Sequence, residues 1–167
     1  AKQISDRRQE MHALFGLGHS IKQRGDALQD TGAYEESRLT YQQSIELFQG
    51  VRTIALELEE IQQEQNALEG IIGCYLNIAW TYGHQNNYLE EVAAFQQAIE
   101  ILESYRERLP EPVVLQQQLL LFSGLGIAHS NAGQYAESIQ AHQTSAAAAE
   151  RLEKFEFQVG HLMSMSQ

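Results

Sequence analysis

Three times along the chain a run of apolar residues at helical spacing is broken by a short polar turn and resumed on a second helical face. That repetition constrains the fold more than any other feature. The clearest copy runs from Gly73 to Leu102. Tyr75, Ile78, Ala79 and Tyr82 form one stripe, Gln85-Asn86-Asn87 interrupts it, and Val92, Phe95, Ala98, Ile99 and Leu102 form the next. Stripes at this spacing bury one helix against another, so each copy reads as a helical hairpin.

In chain order, Ser5 or Asp6 is the expected N-cap of a first helix carrying Met11, Leu14, Phe15, Leu17, Gly18 and Ile21. It reaches Leu28, before the turn cluster Asp30-Thr31-Gly32. Tyr34, Ser37, Leu39, Tyr41, Ile45, Leu47 and Phe48 give its partner, which extends to Leu58, with a poorly marked break between Glu59 and Gln63. Helices over about 62–85 and 88–108 follow. Then Leu109-Pro110-Glu111-Pro112 closes one helix and opens another, because proline lacks an N–H and is tolerated in a first turn. A fifth helix runs to Asn131, Gly133 marks the turn, and a sixth runs from Tyr135 to Arg151. Phe155, Phe157, Val159, Leu162 and Met163 read as a seventh helix without a partner, covering the end of a stack. The expected division is repeat one over 5–58, repeat two over 62–108, repeat three over 112–152 and a terminal helix over 154–165, within one domain cut from a longer protein.

Composition agrees with an all-α chain. The 167 residues are 43% apolar, enough for a core, and hold only two prolines. A net charge of -11 disfavours direct nucleic-acid binding, which needs clustered Lys and Arg. No Lys or Arg falls between Thr53 and Tyr105, where nine glutamates do; a solvated acidic face accounts for this, with attraction of a basic partner as the functional alternative. Cys74 is the single cysteine, which excludes an intrachain disulfide and fits a reducing, cytoplasmic setting. The longest apolar run, Leu119 to Phe122, is far short of a membrane span.

The first helices share a pattern: Leu14-x2-Leu17-Gly18-x2-Ile21, Tyr75-x2-Ile78-Ala79-x2-Tyr82 and Phe122-x2-Leu125-Gly126-x2-His129. The second helices share Ser37-x3-Tyr41-x2-Ser44, Glu91-x3-Phe95-x2-Ala98 and Ser138-x3-His142-x2-Ser145, each preceded by a tyrosine, Tyr34, Tyr88 or Tyr135. This resembles the tetratricopeptide repeat, whose hairpins carry a large residue, Leu-Gly and Tyr on the first helix and Ala, Phe, Ala on the second. The resemblance covers nearly the whole chain and implies a right-handed α-solenoid of antiparallel hairpins, about seven helices in all. Glu91 departs from the small residue expected there, and His129 and His142 replace aromatics. In this alignment Gly18 to Tyr41 spans 23 residues against 16 in the other hairpins, so the first carries seven extra residues, about two helical turns. Repeats this long resemble those of bacterial signalling and regulatory proteins.

Gly16-Leu17-Gly18 and Gly124-Leu125-Gly126 do not complete a phosphate-binding motif, and close helix packing accounts for them. The six histidines lack metal-site spacing, so neither a metal nor a cofactor is expected. His129 and His142 are expected to hydrogen-bond each other. Cys74 reads as a buried, inert thiol, and no carboxylate is placed as a general acid, so the reading is of a protein that is not an enzyme. By the resemblance, first helices line a concave groove that holds a protein or peptide. Its positions here would be His12, Phe15, His19 and Lys22; Leu76, Asn77, Trp80 and His84; and Ser123, Ile127, Ser130 and Asn131. Trp80 and Asn77 stand out as an amphipathic anchor and a peptide-backbone partner. The leading expectation is an interaction scaffold. The alternatives are a sensor of a ligand or peptide that controls an attached effector, and a self-assembly module joined through the array ends.

Overall fold

The computed structural model describes residues 2–165, with side chains from residue 3 to residue 156. Among these residues it is all helical: α1 (Lys2–Asp30), α2 (Tyr34–Glu57), α3 (Ile61–His84), α4 (Tyr88–Ser104), a 3-10 turn (Arg106–Arg108), α5 (Glu111–Asn131) and α6 (Tyr135–Met165). Six α-helices therefore stand where about seven were expected. The stretch expected as a seventh helix continues α6, since no glycine or proline interrupts the chain between Gly133 and Phe155. The cap expected from Phe157, Val159, Leu162 and Met163 lies outside the described side chains. Ser5 and Asp6 lie inside α1 and cap nothing. Pro110 is the N-cap residue of α5, with Pro112 in its first turn.

Four helix ends close in the same way. A residue with positive φ follows the helix, Gly32, Glu59, Asn86 or Gly133. The next N–H then reaches back five residues: Ala33 to the Leu28 carbonyl, Glu60 to Ala55, Asn87 to Tyr82 and Gln134 to His129, at 2.8 to 3.0 Å. This closure satisfies carbonyls left open at a helix end, and glycine or asparagine meets its left-handed residue at least cost. The poorly marked break is the Glu59 turn, where a glutamate holds that conformation at φ 57°.

The chain divides into two compact units, Ala1–Ala94 and Phe95–Gln167, with the division inside α4. In the first, α2 packs against both α1 and α3. Its centre is the Phe48 ring, fully buried between Gly18 and Gly70, where an added Cβ would come within 3.1 Å and 2.8 Å of the ring. Met11, Tyr41, Leu68, Ile72 and Cys74 complete this core. In the second unit α5 and α6 form the hairpin, with Phe95 set against Gly124 and Leu102, Leu115 and Leu121 buried.

Candidate functional site

An open cleft of about 500 Å³ lies in the first unit between α1 and α3. Phe15, His19, Lys22, Gln23 and Asp26 from α1 face Asn66, Glu69 and Gly70 from α3. Phe15 and His19 meet edge to face at 4.5 Å, and both rest on the Phe48 ring, at 5.8 Å and 5.1 Å, so the apolar end of the cleft is held by the core. At the other end Asp26 Oδ1 accepts hydrogen bonds from the Tyr41 hydroxyl and the Asn77 amide, both at 2.8 Å, while its Oδ2 faces the Lys22 ammonium at 3.5 Å. The half-buried Lys22 is thus a cation beside a carboxylate already engaged elsewhere. The cleft can hold a short segment that offers an apolar group at one end and acceptors at the other.

The hydrogen bonds also fix how the hairpins correspond. Ser37 Oγ donates to the Gly25 carbonyl and Ser138 Oγ to the Gly126 carbonyl, each across 12 residues; Ser44 donates to Gly18 and Ser145 to Leu119, each across 26. Gly25, not Gly18, is therefore the counterpart of Gly126 and Ala79, and Leu28, not Ile21, that of Tyr82 and His129. From Gly25 to Tyr41 is 16 residues, as in the other two hairpins, so the seven-residue insertion expected in the first hairpin does not exist. Matched against protein-family models, residues 71–105 fit the tetratricopeptide repeat. The chain carries a tetratricopeptide repeat. That match covers α3 from Ile71 onward and all of α4, in the middle hairpin.

No curated protein sequence matches the chain. Among solved structures it is similar to a MamA protein at 13% identity, over 92% of this chain and 84% of that one, with a TM-score of 0.40. A second MamA structure gives 13%, 90%, 89% and 0.41. BtubC from P. vanneervenii gives 10%, 95%, 91% and 0.24. Superpositions of this quality leave the assignment to the repeat itself.

In the repeat's register, Lys22, Gln23 and Asp26 hold on α1 the places that Leu76, Asn77 and Trp80 hold on α3. Three of the four positions expected on the first helix, Phe15, His19 and Lys22, line the cleft, and His12 is exposed on the same helix outside it. Gln23, Asp26, Asn66 and Glu69 were missed; the turn glycine Gly32, counted back seven residues as Gly133 is to Gly126, would have found the first two. Leu76 and Asn77 have a different place from the one expected. Leu76 is only 8% exposed and belongs to the core, and Asn77 is buried with its amide committed to Asp26. Trp80 is 46% exposed, so it is not core. His84 stacks on Tyr34 at 5.6 Å, joining α3 to α2. On α5, Ile127, Ser130 and Asn131 are exposed and Ser123 is half-buried, all in the second unit.

His129 Nδ1 lies 2.6 Å from Gln134 Oε1, while the exposed His142 ring covers Gly126, so the two histidines do not form the expected mutual bond. The acidic stretch is not all solvated: Glu64, near Arg52 at 3.7 Å, and Glu91 are buried. Cys74 is buried, donates to Ser44 Oγ at 3.5 Å, and has its thiol pushed up to about 11 by burial. A thiol held protonated is a poor nucleophile. No described helix is long and apolar enough to cross a membrane, and no cluster of metal-ligating side chains occurs among the described residues.

Proposed function

We propose that this protein is a non-catalytic interaction scaffold that seats a peptide or helix of a protein partner in the cleft between α1 and α3. The observation that carries this reading is the cleft itself, with a core-supported aromatic wall at Phe15 and a half-buried cation at Lys22. Such a pairing of an apolar anchor with a few placed polar groups is what peptide grooves use. Trp80, exposed on α3, offers a second apolar contact. Asn77 contributes by fixing Asp26 rather than by touching the partner. The three-repeat division belongs to the same proposal, and on α5 the exposed Ile127, Ser130 and Asn131, with Ser123, are proposed as contact positions of the second unit by itself.

The test is selection of peptides from a random display library against the folded protein. Selected peptides are expected to bind Phe15→Ala and Lys22→Glu at least tenfold more weakly, a loss of about 1.4 kcal/mol or more. Trp80→Ala should weaken binding with its melting temperature kept, because the ring is half in solvent. Peptides that bind all three variants as well as the wild type would place recognition elsewhere.

A further inference from the structure

The two walls of the cleft between α1 and α3 differ in how their charges are met. Lys22 lies against Gly73, where an added Cβ would come 3.7 Å from its Cε, and Asp26 bonds Asn77. Both pairs are 51 residues apart, so the two helices run parallel, with Phe15 opposite Asn66 and His19 opposite Gly70. Glu69 then stands in the middle of the α3 wall, between Asn66 and Gly73. On the α1 wall charge is already cancelled: Lys22 is the one lysine or arginine lining the cleft, and its ammonium faces Asp26 Oδ2. On the α3 wall it is not. Glu69 is exposed and has neither an ion pair nor a hydrogen bond among the described residues. No neighbouring cation is placed to supply one. α3 contains no Lys or Arg, Arg38 and Arg52 of α2 are turned to Gln85 and Glu64, and Arg7 and Arg8 of α1 are held by Glu57 and Glu60. Arg24, two residues beyond Lys22, stands on the opposite side of α1.

We infer that the partner segment seated in this cleft is basic, and that it sets an arginine or lysine side chain against Glu69 beside an apolar side chain on Phe15. An occupant so defined rests on the peptide-seating reading of the same cleft and gives that reading its chemistry. Charge complementarity selects it. With Asp26 answered by Lys22, the charge left to the cleft is the Glu69 carboxylate, in a chain whose net charge is -11. An acidic segment would meet Glu69 with no free cation to offset it. Lys22 still has N–H donors to spare, and these suit a main-chain carbonyl of the segment. The spacing fits as well. Asn66, opposite Phe15, and Glu69 are separated by about 4.5 Å along α3, so side chains two apart on an extended segment, or three to four apart on a helical one, reach Phe15 and Glu69 together.

Peptides selected from a random display library on the folded wild type test this. They should carry an arginine or lysine about two to four residues from a large apolar residue. A selected peptide should bind Glu69→Gln about fivefold more weakly than the wild type, and Glu69→Lys at least about tenfold more weakly, because the second change turns attraction into repulsion. Both variants should melt as the wild type does, since Glu69 is exposed. The same peptide with glutamate in place of its basic residue should bind Glu69→Lys more tightly than it binds the wild type. Phe15→Ala separates the two readings. Peptides that lose affinity for Phe15→Ala but lack a basic residue, or that bind Glu69→Lys as tightly as the wild type, overturn the basic occupant and leave the cleft reading standing; so does a glutamate-bearing peptide that gains nothing on Glu69→Lys. Peptides indifferent to Phe15→Ala, or a library that yields no binder, overturn both.

Discussion

In the α1/α2 hairpin the bulk at the helix crossing stands on the second helix, with Phe48 against Gly18; in α5/α6 the corresponding residues are Ala149 and Leu119, so the bulk stands on the first. The fastenings are the same. Serines at matching positions bond matching carbonyls, and a positive-φ glycine turns each hairpin. Even the open ends are tied alike, Arg7 to Glu57 in one and Arg151 to Glu111 in the other. What differs is the cover over the ring that each second helix sets on the matching glycine, Gly25 or Gly126. Tyr41 is fully buried and bonded to Asp26, whereas His142 is exposed over Gly126. The serine bonds and the turn are set by the repeat, and how deeply the ring over the matching glycine is buried follows whether another helix covers it, as α3 does through Asn77 beside Asp26 and Tyr41.

Substitutions at paired positions can break that comparison. Phe48→Ala should cost the first unit about 3–5 kcal/mol in denaturant unfolding, because the ring fills the space left by two glycines on two helices. Ala149→Gly, its counterpart, should cost no more than about 1 kcal/mol. A smaller contrast separates the glycines. Gly25→Ala puts a methyl 2.6 Å from the buried Tyr41 ring and should destabilise by about 1–3 kcal/mol, as overpacking does. Gly126→Ala faces His142 at 2.7 Å, but that ring is exposed and can turn away, so the helix-forming gain of alanine should leave the change within about 1 kcal/mol. Equal costs at both glycines would mean that covering does not matter.

The middle hairpin gives the smallest effect, through pH. Glu91 holds the position of Ser37 and Ser138, is buried against Gly83 with no hydrogen-bond partner at Oε2 among the described residues, and has its carboxyl raised above the ordinary value by burial. The folded state therefore holds this proton more tightly than the unfolded chain. Its contribution is complete below the unfolded value and is lost as pH rises through the folded value. Glu91→Gln should flatten that decline and raise the neutral-pH melting temperature by a few degrees; a pH profile parallel to the wild type's would show that Glu91 ionises without cost.

Much of this was legible in the sequence. The hairpins, the turns at Gly32, Asn86 and Gly133, the end of α5 at Asn131 and the closed environment of Cys74 follow from spacing and residue type. The register of the first hairpin did not. Seven residues are nearly two turns, so a pattern slipped from Gly25 to Gly18 presents almost the same face and aligns as well. Only the serine–carbonyl bonds and the distance to the turn separate the two, and the slip moved the expected site by two turns toward His12. The Glu59 turn was hidden because its residue type favours no left-handed conformation, and Asn77 was misjudged because its partner Asp26 is 51 residues away.

The lone cysteine gives this architecture a clock. Cys74 sits where α3 meets α2, beside Ser44 and shut off from solvent, and nothing else in the chain competes for a thiol reagent. Its labelling can proceed only as fast as α2 and α3 part. A single reactive atom, already present in the natural sequence, thus times the opening of one particular seam without a dye or an engineered site.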